Sequence, residues 1–143
     1  MTASEAGRRG MPMAGEPPTT EARYLARLDD MQSAATQLRD MLSQLIANCD
    51  VVRAQIKAGQ PALHVVQAVG DAKGIAFRKE LHLSGRRFDR TMQATRGESF
   101  RIFITEGQRS ITDVARAAGL SVQMVKRLIE SLDEGSRPDE RAT

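Results

Sequence analysis

Two groups of polar side chains in this 143-residue chain could do chemistry, and both are basic. One is Ser121, Gln123, Lys126 and Arg127, within "LSVQMVKRLIESL"; the other is Arg86, Arg87 and Arg90, followed by Arg96. Gln can hold adenine by two hydrogen bonds, Arg and Lys can reach guanine or phosphate, and Ser with the amides of a helix start can hold a phosphate. The plainer reading of each group is a solvated basic face. The sequence offers no catalytic set. His64 and His82 lie 18 residues apart, outside any metal-ligand pair spacing, and no Gly-rich phosphate loop follows a strand. Cys49, the lone cysteine, stands on an apolar stripe with no His nearby in sequence, which predicts a buried structural thiol rather than a redox switch or an intersubunit disulfide. The expectation is a protein that is not an enzyme and uses no metal or cofactor.

The elements that must position these groups are helices. Aromatic residues make up 3% of the chain and Trp is missing, so Leu, Ile, Val, Met and Ala must build the core, which suits packed helices and predicts an all-α fold. No apolar run reaches the length of a membrane span, and "MTASEAGRRGMPMAGEPPTT" has no apolar stretch of signal-peptide type, so a soluble, cytoplasmic protein with no membrane partner is expected. The net charge of +3 is unevenly spread. Residues 1–59 hold seven basic and seven acidic side chains, residues 60–132 hold twelve against seven, and residues 133–143 hold two against four. The positive surplus therefore falls where both basic groups lie, as it would in a nucleic-acid-binding half.

Residues 1–19 and 133–143 read as disordered tails, rich in Gly, Pro, Ala and charge without periodicity. Thr19 or Thr20 can cap a helix that meets no Gly or Pro until "GQP" near residue 59, a length of roughly 57 Å at 1.5 Å per residue. Its apolar residues alternate steps of four and three: Tyr24, Leu28, Met31, Ala35, Leu38, Leu42, Leu45, Cys49, Val52 and Ile56. Such a heptad seam needs a partner helix, and the simplest is the same helix of a second copy, which makes residues 20–58 a dimerisation helix. Leu25, Met41 and Ile46 beside the seam argue for some packing within the chain as well. Beyond it, "PALHVVQAV" suits a short helix begun by Pro61, and "DAKGIAFRKELHLSGRRFDRTMQATRG" suits two helices, near 72–81 and 85–95, with a turn at "HLSG". After Gly97, "ESFRIFITEG" makes another, stopped at Gly107.

The stretch 110–132 is the most specific signal. Ser110 is a good N-cap with Asp113 three residues on, and Ile111, Val114, Ala115 and Ala118 follow at helical spacing. Gly119 supplies a left-handed turn, Leu120 plugs the space between two helices, Ser121 caps the second, and Val125 and Leu128 close the core, with Ile129 and Leu132 left to dock upstream. This pattern resembles the helix-turn-helix of bacterial transcriptional regulators. The resemblance implies that Ser121, Val122, Gln123, Lys126 and Arg127, with Glu130, face the major groove of DNA. A fainter echo spans residues 76–131: "LHLSGRRFDRTM" set over "AGLSVQMVKRLI" pairs Leu83 with Leu120, Ser84 with Ser121 and Arg90 with Arg127, though Arg78 and His82 stand where Ala115 and Gly119 would. Two such units in tandem resemble the DNA-binding half of AraC-type regulators, and would make Arg86, Arg87 and Arg90 DNA contacts.

Together these readings predict a homodimeric, sequence-specific DNA-binding transcriptional regulator, cytoplasmic and nucleoid-associated. Leu28, Met31, Leu38, Leu42, Leu45, Val52 and Ile56 form its dimer seam, residues 61–132 its DNA-binding domain, and a regulatory protein partner is one route for a signal. The rivals are a phage, plasmid or nucleoid maintenance protein, and an adaptor whose coiled coil is the functional surface.

Overall fold

The computed structural model describes residues 15–134, so residues 1–14 and 135–143 of the tails expected at 1–19 and 133–143 lie outside the described residues, while Asp133 and Glu134 continue the last helix rather than opening a tail. The described part is all-helical. It comprises α1 (Thr20–Lys57), α2 (Ala62–Val69), α3 (Ala72–Thr105), α4 (Ile111–Ala118) and α5 (Val122–Glu134). The first helix starts at Thr19, whose hydroxyl accepts from the Ala22 amide at 3.1 Å, satisfying one of the orphan donors of a helix start. A short helix does follow Pro61, and its inward side chain, Val65, is buried. Asp71 caps α3 by accepting from the Gly74 amide at 2.9 Å.

α3 corrects the expected turn at "HLSG" and the break at Gly97, because the helix runs through both without interruption. Glycine within a helix costs about 1 kcal/mol against Ala. Here packing offsets that cost, since Ser84 is buried and Phe88 half-buried on either side of Gly85. No left-handed residue occurs between 72 and 105, so residues 76–96 do not form a helix-turn-helix, and the tandem arrangement fails.

α1 and α3 form a long antiparallel hairpin with α2 at its tip. Arg23 pairs with Glu98, the Thr95 hydroxyl donates to the Arg27 carbonyl at 3.2 Å, and Arg87 reaches Gln37, so positions rise on one helix as they fall on the other. Ala34, Ser84 and Thr95 are buried along the contact, and their small size lets the helices approach closely. This corrects the seam expected of α1, whose neighbours in the chain are α2 and α3. Leu28, Met31, Ala35 and Leu38 are half-buried beneath α3, so the first half of the stripe already has an intramolecular partner. Towards the tip the stripe emerges: Val52 stays half-buried, but Leu42, Leu45, Cys49 and Ile56 are exposed. Cys49 is therefore an exposed thiol and not the buried one its stripe predicts.

At the other end of α3 a second core forms on the face opposite α1. Phe100, Val114, Ala115, Val125 and Leu128 are its buried members, with Ile104, Ile111, Leu120 and Ile129 packed around them. Gly97 lets α5 come down on α3, since a Cβ built there would lie 2.6 Å from the Leu128 carbonyl oxygen. Backbone cannot move aside cheaply, so any side chain at 97 would push the two helices apart. α3 thus serves both as one arm of the hairpin and as the floor under α4 and α5.

Candidate nucleic-acid interface

α4 and α5 are built as their sequence suggests. The Ser110 hydroxyl accepts from the Asp113 amide at 3.1 Å. Gly119 takes a left-handed conformation, φ 69° and ψ 30°, that glycine adopts without a Cβ clash, and the Leu120 amide returns to the Ala115 carbonyl at 2.9 Å. The Ser121 hydroxyl then accepts from the Met124 amide at 3.1 Å and opens α5.

At 100° per residue α5 has two opposed faces. Val125, Leu128 and Leu132 are buried, while Gln123, Lys126, Arg127 and Glu130 are exposed on the other side at positions i, i+3, i+4 and i+7. Among the described residues no carboxylate forms an ion pair with Lys126 or Arg127. Ser121 is exposed at the helix start. Val122 departs from the expected group: it is half-buried and leans on the core, so its side chain is committed to packing. Met124, on the opposite flank, is 38% exposed, and a lone methionine carries no signal in sequence for a surface role. Arg116 of α4 is exposed as well, 4.0 Å from Asp113, and an isolated Arg in an apolar helix gives little signal in sequence.

The second basic group divides. Arg87 donates to the side-chain Oε1 of Gln37 at 2.6 Å and to the Ser33 hydroxyl at 3.4 Å, so it clamps α3 to α1. Arg86 and Arg90 are exposed, and by helical spacing they share with Lys79 the face of α3 on which α5 docks further along. They sit 7 and 11 residues before Gly97, roughly 10–16 Å down the stalk. Charge follows this division. Residues 96–134 hold six basic and six acidic side chains, whereas residues 72–95 hold six against two, so the positive surplus lies on the stalk.

One buried charge holds the head to the hairpin. Glu98 is 0% exposed, and its carboxylate accepts from Arg101 at 2.7 and 2.9 Å, from Arg23 at 3.3 Å, and lies 3.5 Å from Arg27. Arg101 also reaches Asp133 of α5 at 3.6 Å. Burial by itself pushes the Glu98 carboxyl up, but its bonds to Arg101 and Arg23 and the charge of Arg27 outweigh this and hold it below the usual carboxylate range. The Glu98–Arg101 pair is visible in sequence as an i,i+3 spacing, but the arginines of α1 are 71 and 75 residues away.

The chain matches no protein-family model, and no curated protein or solved structure matches it.

Proposed function

We propose that this protein is a sequence-specific, double-stranded-DNA-binding transcriptional regulator of the bacterial nucleoid, working as a homodimer. In this reading α4 and α5 are the two halves of a helix-turn-helix, and α5 enters the major groove. The observation that carries it is the outward face of α5, where Gln123, Lys126 and Arg127 stand together beyond a capped helix start, opposite the buried row Val125, Leu128 and Leu132. Gln123 and Arg127 are the base readers, and Lys126 and Ser121 hold phosphates at the groove edge. Met124 offers an apolar contact of the kind that thymine methyl groups accept. Arg86 and Arg90 extend the phosphate contacts down the stalk.

An adaptor reading draws on a different observation, the apolar side chains exposed at the hairpin tip. A maintenance protein of a phage, plasmid or nucleoid would use the same DNA contacts for another end.

Genomic fragments retained by the purified protein identify the preferred duplex, and titrations then test the contacts. Gln123→Ala and Arg127→Ala should each weaken binding to the preferred duplex by roughly 1–3 kcal/mol and relax discrimination at particular base pairs. Wild-type behaviour of both variants on preferred and scrambled duplexes would overturn the assignment of α5. Failure of the wild type to bind any duplex in a salt-dependent way would leave the adaptor.

A further inference from the structure

Near its tip the hairpin holds a groove of about 1150 Å³, walled by α1 from Gln44 to Lys57, by α2 and by the first two turns of α3. Its apolar lining includes Val52 and Ile56 of α1, Val65 and Val69 of α2 and Phe77 of α3. Val65 is buried, Val52 and Phe77 are half-buried, and Ile56 and Val69 are exposed. Four cations line the groove as well: Arg53 and Lys57 on α1, Lys73 and Arg78 on α3. Among the described residues Asp71 is the one carboxylate in the lining, and its oxygen is engaged in capping α3, 2.9 Å from the Gly74 amide. Arg53 meets Asp50 at 2.9 Å, but both side chains are largely in water, where such a pair holds little. Among the described residues no carboxylate forms an ion pair with Lys57, Lys73 or Arg78. The groove thus joins an apolar floor to a surplus of positive charge.

We infer that the groove receives an acidic amphipathic helix of a partner protein, with its apolar stripe on the floor and its carboxylates against the four cations. Charge selects the sign of the occupant, because four cations against one engaged carboxylate attract an acidic segment and repel a basic one. The spread of that charge selects its length. Arg53 and Lys57 stand roughly 6 Å apart along α1, Lys73 and Arg78 roughly 7–8 Å apart along α3, and the α1 wall alone runs roughly 20 Å. A single carboxylate or phosphate head group meets the cations at one spot and leaves the others unmatched. A helix instead carries acidic side chains every three or four residues along both flanks of an apolar stripe. Duplex DNA is acidic but brings no apolar stripe to cover Ile56 and Val69. The terminal stretches of this chain do not qualify either: residues 1–14 hold Glu5 against Arg8 and Arg9, and residues 135–143 hold two acidic and two basic side chains and no large apolar one. The inference goes beyond the proposed function and stands whether or not α5 reads DNA.

Calorimetric titration of the full chain, without DNA, tests it with a synthetic helical peptide of about 18 residues that carries Leu at i, i+3, i+4 and i+7 and Glu on both flanks. The peptide should bind, and bind less well as salt rises, whereas the same peptide with Lys in place of Glu should not. Lys57→Glu combined with Lys73→Glu should weaken the acidic peptide by about tenfold or more and admit the basic one, a swap that misfolding cannot produce. Both side chains are exposed, so the helical circular dichroism of the variant should be unchanged. Cys49, the lone cysteine, is exposed and lines the groove, so the acidic peptide should slow its reaction with a thiol reagent. That protection places the peptide in the groove and not on the basic stalk. Absence of binding at about 1 mM acidic peptide would overturn the inference. So would equal binding of the two peptides, an unprotected Cys49, or an unchanged affinity in the double variant. Protection of Cys49 by phosphatidylglycerol vesicles or by duplex DNA, with the acidic peptide giving none, would overturn it in favour of those occupants.

Discussion

At the scale of the residue, Glu98 matters to the fold because it gathers arginines from two helices far apart in sequence. Replacing it by Gln keeps the shape but removes the charge that Arg23, Arg27 and Arg101 face. The loss should be about 2–4 kcal/mol, towards the lower end because those arginines remain partly in water. The pH dependence has a definite sign. A carboxyl held low in the folded state contributes its full stability above the ordinary glutamate value of ~4.3 and loses it as pH falls through the lowered value. Acid denaturation followed by circular dichroism should therefore show wild type losing stability below about pH 4.3 with a component that Glu98→Gln lacks. An unchanged acid limb in that variant would show that the cluster contributes nothing to the titration. Local chemistry of this kind was legible where it acts over a few residues, as in the caps at Ser110 and Ser121 and the left-handed Gly119. Glu98 was not, because the arginines that allow its burial arrive only when the hairpin closes. Val122 escaped for a related reason: whether a β-branched residue at a helix start faces a groove or a core depends on the angle at which that helix docks.

At the scale of the element, α3 is the informative case. "HLSG" carries the residue types of a turn, yet those types only permit one, and the helix continues because Ser84 and Phe88 gain a partner in α1 by staying helical. Gly85 keeps an ordinary helical conformation, and a Cβ built there meets nothing within 4 Å. Gly85→Ala should accordingly raise stability by about 0.5–1 kcal/mol through lower chain entropy in the unfolded state and better helix propensity. Urea unfolding measures it, and a destabilised variant would mean that the chain does turn at this point. The heptad stripe of α1 shows the complementary limit of sequence. Its periodicity states that a helix must cover it, while the identity of that helix depends on chain reversal at Gly59–Pro61 and again at Gly70–Asp71, which brings α3 back over the first half. The exposed half, with Cys49 on it, is the part that a local pattern cannot distinguish from the covered half.

At the scale of the whole molecule, the charge surplus and the outward face of α5 occupy different places. Arg86 and Arg90 on the stalk should act on phosphates alone, so replacing each by Ala should weaken preferred and scrambled duplexes alike and flatten the dependence of log K on log salt by about one unit per lost contact. Arg87→Ala should leave that slope unchanged, because its guanidinium is occupied by Gln37 and Ser33, and should loosen the hairpin instead. Titrations at several salt concentrations separate these outcomes, and an unchanged slope in Arg86→Ala and Arg90→Ala would remove the stalk from the interface. The continuity of α3 has a mechanical meaning as well. From Ala72 at the tip to Gly97 under α5 it is an unbroken rod of roughly 38 Å, with no hinge to absorb a twist. Such a rod acts as a lever, and a tilt of about 5° at the tip swings the far end by roughly 3 Å. A change of angle at the tip is therefore carried undiminished along the stalk to the head formed by α4 and α5.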